Sequence, residues 1–114
     1  MTTVEILKGD TIKQGDCEPS LRMRLINEDG EPMDLMGFQV EARIRSTTTG
    51  DKIVDGAISL IDARNGIVEY DWNTNDTQNA GIYEGEVTAY DSQGCIMTFP
   101  NSSYFNIQIM ERID

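Results

Sequence analysis

From Phe38 to Arg45 the sequence alternates strictly, with Phe38, Val40, Ala42 and Ile44 on one parity and Gln39, Glu41, Arg43 and Arg45 on the other. Successive side chains of an extended chain point to opposite faces, so this octet can hide its apolar residues from water only as a half-buried β-strand. The same period recurs where Leu21, Met23 and Leu25 alternate with Arg22 and Arg24, and where Phe105, Ile107 and Ile109 alternate with Asn106 and Gln108. Shorter apolar runs predict further strands over 4–7, 57–61, 67–72, 82–90 and 95–99. That makes about eight strands, spaced as in a sandwich or barrel rather than a βαβ design.

Turn chemistry separates these segments. Asp29-Gly30, Asp55-Gly56 and Asn65-Gly66 each supply residues that tolerate the positive φ of a tight reversal. Asn65-Gly66 is the strongest hairpin signal, joining the 57–61 strand to the aromatic one that holds Tyr70 and Trp72. No stretch keeps apolar residues at helical spacing, so helix is expected to be minor. With 114 residues, ordinary hydrophobic content of 39% and no proline-rich or glycine-rich linker, the expectation is one domain over 1–114. Its fold class is expected to be an all-β, antiparallel, immunoglobulin-like sandwich.

Charge and missing residue types narrow the chemistry. Nine basic residues against twenty acidic ones give a net charge of -11, which repels phosphate backbones and anionic lipid surfaces. Neither nucleic acid nor membrane is an expected partner. There is no histidine, which removes the commonest general base, the usual partner of a serine or cysteine nucleophile and the commonest zinc ligand. A pair of carboxylates could still hydrolyse glycosides, but that needs a cleft with one acid desolvated, for which so small a sandwich has little room. No GxxxxGK or GxGxxG motif occurs, so no enzyme activity and no cofactor is expected.

The oxygen-rich segment from Asn27 to Glu31 could suggest calcium, but placing Gly30 at the sixth position of an EF-hand loop puts Leu25 where the first carboxylate belongs. A strand-connecting turn is expected instead, and no metal site. Cys17 and Cys95 belong to no CxxC or Cys/His cluster, and two free, structural thiols are expected, with an inter-sheet disulfide as the alternative. No signal peptide opens the sequence, so the sequons at Asn75 and Asn101 carry little meaning. Trp72 is expected in the core rather than on a sugar-stacking surface. Tyr83, in Gly81-Ile82-Tyr83-Glu84-Gly85-Glu86, stands where sandwiches often carry a tyrosine that ties a corner to nearby backbone.

Several of these segments, taken in order, resemble the immunoglobulin-like N-terminal domain of the phage baseplate upper protein family. They are Gly9-Asp10-Thr11, the run from Leu25 to Gly37, Val54-Asp55-Gly56, the run from Ile61 to Trp72, Asp76-Thr77, Gly81 to Glu86, and Thr98-Phe99-Pro100-Asn101. In that family the domain docks a longer protein onto the baseplate core, while a later part presents receptor-binding proteins. The chain stops within a few residues of its last strand, so the resemblance implies attachment or decoration and does not carry over receptor presentation.

The function expected from the resemblance is that of a non-enzymatic structural or assembly protein of a bacteriophage or prophage tail baseplate. Its partners would be other phage tail or baseplate proteins, with room for a homo-oligomer within the virion. It would be made in the bacterial cytoplasm and end in the virion tail. The alternatives are a module binding host-surface carbohydrate or protein, and an acidic inhibitor or DNA mimic that occupies a basic enzyme. The interaction surface is not legible from the residues.

Overall fold

The computed structural model describes residues 1–113, which fold as two β-sheets packed face to face. Ten strands run in the order β1 (Thr3–Lys8), β2 (Thr11–Lys13), β3 (Leu21–Ile26), β4 (Gln39–Ser46), β5 (Lys52–Ala57), β6 (Ser59–Asp62), β7 (Ile67–Tyr70), β8 (Gly81–Tyr90), β9 (Ile96–Phe99) and β10 (Phe105–Met110). One sheet has the order β1-β3-β7-β6, and the other has the order β2-β10-β8-β4-β5 with β9 also paired to β8. The long strand β8 is the spine of the second sheet. On one side it pairs with β4 from Tyr83 to Tyr90; on the other its first half pairs with β10 and its second half with β9. Strands β9 and β10 are thus two halves of one strand position, parted by the excursion through 100–104.

The alternating segments do what their period dictates. Leu21, Met23 and Leu25 of β3, Val40, Ala42 and Ile44 of β4, and Phe105, Ile107 and Ile109 of β10 are all buried between the sheets. Val68, Val87, Ala89, Phe99 and Leu35 complete the layer with Trp72 and Tyr83. Two one-turn 3-10 helices, Ala63–Asn65 and Thr74–Thr77, are the helical content among the described residues. In the second, Asn73 and Asp76 cap each other reciprocally, which satisfies amide groups that a helix start leaves open.

The structure adds two strands to the eight expected. Strand β2 has three residues, too few for alternation to show, and it pairs in parallel with β10 at Thr11, Ile12 and Lys13. The sandwich is therefore antiparallel except at this pair. Strand β5 contains Asp55-Gly56, which the sequence suggested as a turn; instead Asp55 lies opposite Arg43 and Gly56 opposite Ala42. Asp55 is tolerated there because it is solvent-facing and bridged to Lys52 at 2.9 Å and to Arg43 at 3.4 Å. Those two cations, Lys52 first, hold its carboxyl below the usual carboxylate range.

The Asn65-Gly66 reversal joins β6 to antiparallel β7 as expected. It closes through the 3-10 turn, with Gly66 at φ 69° bonding back from its amide to the Ala63 carbonyl. The carbonyl of Gly66 accepts from the Leu25 amide at 2.8 Å, and the Leu25 carbonyl accepts from Met33, so this hairpin is stitched to β3 and to the β3–β4 connection.

Candidate functional site

The aromatic residues that could have made a sugar platform are mostly inside. Trp72 and Tyr83 are buried, and Trp72 meets Tyr70 edge to face with ring centres 5.3 Å apart. The Tyr70 hydroxyl donates to Asp76 at 2.5 Å, and burial together with that carboxylate pushes the phenol pKa well up. Tyr83 donates its hydroxyl to the Asn79 carbonyl at 2.6 Å, four residues upstream, which is the corner tie its position suggested. Tyr83→Phe is expected to lower stability by about 1 kcal/mol, because the Asn79 carbonyl loses its donor in a half-dry setting. Urea unfolding measures this, and an unchanged midpoint would show that the tie contributes nothing.

The two cysteines are free and both are exposed. Neither packs in the core, which corrects the expectation that they are structural: Cys17 lies in the β2–β3 connection, and Cys95 immediately precedes β9. Both thiols should react with a colorimetric disulfide reagent in the absence of denaturant, in a ratio of about two per chain, because solvent access governs thiol reactivity. A lower stoichiometry without reductant, restored by it, would reveal a disulfide.

The segment from Asn27 to Glu31 is a self-contained turn. The Asn27 side-chain carbonyl accepts from the amides of Asp29 and Glu31, and the Gly30 amide reaches the Asn27 carbonyl at 3.0 Å. Among the described residues no three His, Cys, Asp or Glu side chains converge as a metal-binding group. Neither is any helix long and apolar enough to cross a membrane.

What remains as candidate surface lies on the six-stranded sheet and its margins. The outward face of β4, β5 and β8 is a ladder of paired charges: Arg43 bridges Glu41 at 3.1 Å, and Arg45 bridges Glu84 at 2.7 Å while lying 5.2 Å from the centre of the Tyr104 ring. The Glu84 carboxylate is also what raises the Arg45 pKa. Beside this ladder a groove of about 650 Å³ opens along β9 and the 100–104 excursion. Thr2 forms part of its wall: the Thr2 amide donates to the Asn101 side chain at 3.0 Å and its hydroxyl to the Thr98 carbonyl at 2.6 Å. Asn101 in turn donates to Glu28 at 2.9 Å. The asparagine of one sequon is thereby engaged in holding the groove together. The groove was not legible in the sequence, because its parts come from four separate stretches of chain.

The strand order, with the parallel β2–β10 pair opposite a β1-β3-β7-β6 sheet, defines an immunoglobulin-like sandwich. A family model described as the BppU N-terminal domain matches residues 9–111, and the chain belongs to that family, the N-terminal domain of phage baseplate upper proteins. Membership supports a structural role in the phage tail baseplate. No curated protein sequence matches the chain. Among solved structures, the crystal structure of CopC from Methylosinus trichosporium OB3b is similar, with a TM-score of 0.57 over 100% of this chain and 98% of that one. At 11% identity that likeness is one of fold alone.

Proposed function

We propose that the protein is a non-enzymatic docking module of the phage tail, acting as one folding unit over 1–114 and joining other baseplate proteins through its surface. The observation that carries this reading is the family match across nearly the whole chain. Two features of the molecule support it. The interior is filled by apolar side chains, Phe99, Leu21, Met23, Leu25 and Leu35 among the fully buried ones, and among the described residues the buried polar side chains are Thr2, Ser20, Thr77 and Thr88, none of them a carboxylate. Arg43, Arg45 and Lys52 on the outward face of the six-stranded sheet are each paired with a neighbouring carboxylate rather than aimed at a common point. Assembly in the bacterial cytoplasm followed by residence in the virion tail completes the reading.

Mass spectrometry of purified particles tests it. The expected result is the intact chain at a fixed ratio to other tail proteins, and its absence from particles would end the proposal. The carbohydrate-binding alternative loses its main residues to the core, since Trp72 and Tyr83 are buried. Tyr104, which is 46% exposed, is engaged with Arg45.

A further inference from the structure

The strand position beside β8 is shared by β10 and β9, and its two halves are closed differently. Strand β2 lies along β10 and occupies its outer side in a parallel ladder at Thr11, Ile12 and Lys13. Strand β9 reads Ile96-Met97-Thr98-Phe99, four uncharged residues in unbroken register with β8. Residues of this kind have high strand propensity, and an edge made of them takes up a further strand unless something blocks it.

The block is the start of the chain. The Asp91 amide donates to the Cys95 carbonyl at 3.2 Å, which aims Cys95 at β8. Antiparallel strands alternate the direction of their backbone groups, so Met97 and Phe99 also face β8, and the backbone groups of Ile96 and Thr98 face away from it. The Thr2 hydroxyl donates to that outward Thr98 carbonyl at 2.6 Å, while the Thr2 amide donates to the Asn101 side chain at 3.0 Å. Residues 1–2 thereby cross to the six-stranded sheet from the four-stranded one, where β1 begins at Thr3.

Burial decides which contact holds this crossing. The Met1 ammonium reaches Glu28 at 2.6 Å, but both side chains are more than half exposed, and an ion pair in that setting contributes little. Thr2 is 2% exposed, so its two bonds are shielded from water and costly to leave unmade. Past Thr98 the cover ends, and Ile96 is 65% exposed.

We infer that residues 1–2 are a strap, latched by Thr2 on the Thr98 carbonyl, which keeps β9 from pairing with the β9 strand of a second copy. A second copy is the occupant because β9 carries no charge: two such strands related by a twofold axis meet with no like charges inside the ladder, each completing the other. The net charge of -11 on each copy opposes the encounter, and salt screens that repulsion. A site open for only a fraction of the time has its apparent affinity lowered by that fraction, so the closed strap holds the chain monomeric. The device belongs to the isolated chain and does not depend on the docking reading.

Sedimentation equilibrium of the purified chain tests it, with the unaltered protein expected as a monomer. Deletion of residues 1–2 leaves every paired residue of β1 in place. It should preserve the circular dichroism spectrum and lower the dimer dissociation constant by about tenfold or more, because the edge is then always open. The dimer should tighten as salt is raised. Thr2→Val keeps the buried shape without the hydroxyl and should lower the constant by about fivefold, the weight of one hydrogen bond. Ile96→Lys added to the deletion should restore the monomer by placing a charge on the edge. Ile82→Lys, which is exposed on the same sheet away from β9, should not. An unaltered protein that is already dimeric would overturn the inference, as would a folded deletion variant that stays monomeric at high salt or a dimer indifferent to Ile96→Lys. If the deletion variant does not fold, Thr2→Val decides, and association no stronger than that of the unaltered protein overturns the inference.

Discussion

Gly66→Ala should lower the stability of the fold by about 2–5 kcal/mol, the sum of left-handed backbone strain and forced displacement of packed neighbours. Gly66 sits at φ 69°, and a Cβ there would lie 2.7 Å from the Leu25 carbonyl oxygen and 2.9 Å from that of Met33. Both are backbone atoms of other segments, which cannot rotate away as a flexible side chain would. The strain and the crowding can be separated with Gly30→Ala. Gly30 has φ 82°, yet a Cβ there meets nothing within 4 Å. That variant should lose only about 1 kcal/mol, the strain component alone. Equal losses for the two variants in urea titrations would mean that the hairpin gives way without resistance and that its stitching to β3 is loose.

Phe99→Ala should cost about 3–5 kcal/mol, in the range for a large aromatic removed from a core that cannot collapse onto the hole. Phe99 is fully buried and is the largest side chain in that state. It closes β9 just where the chain leaves for the 100–104 excursion, and its residue pairs with Val87 of the spine strand. Equilibrium unfolding should show a lower midpoint with little change in slope. A loss below about 1 kcal/mol would show that the two sheets close over the gap, since core losses scale with the cavity left behind.

Much of this sandwich was legible as period. Every apolar residue of the three clearest alternating segments is buried, except Phe38, which lies just before β4 and is half-buried. Alternation works there because each strand has one dry face and one wet face, and a shift of one residue would exchange them. It fails for β2, whose three residues hold only Ile12 as a buried side chain. It fails differently at β5, where Asp55-Gly56 has the composition of a turn but lies on an edge facing water, and where ion pairs with Lys52 and Arg43 absorb the charge. The cysteines were misplaced because residue type favours burial for a free thiol, while Cys17 and Cys95 both sit in connections between strands.

The tyrosine corner could be anticipated from its motif, since the tie from Tyr83 to Asn79 spans four residues of one segment. The groove along β9 could not. It needs Thr2, Glu28, Glu86 and Asn101 brought together by sheet order, and no local pattern encodes such distant neighbours.

The parallel pairing of β2 with β10 gives the molecule a definite response to tension. These strands lie near the two ends of the chain and point the same way, with Thr11 to Lys13 held against Gln108 to Met110 and Gln14 bonded to the Met110 carbonyl. Tension that reaches these two strands from opposite ends of the chain acts on them as opposed forces along their length. Their bonds are sheared together rather than opened one at a time. A module built this way resists being pulled out by its ends far better than it resists being unzipped from its side.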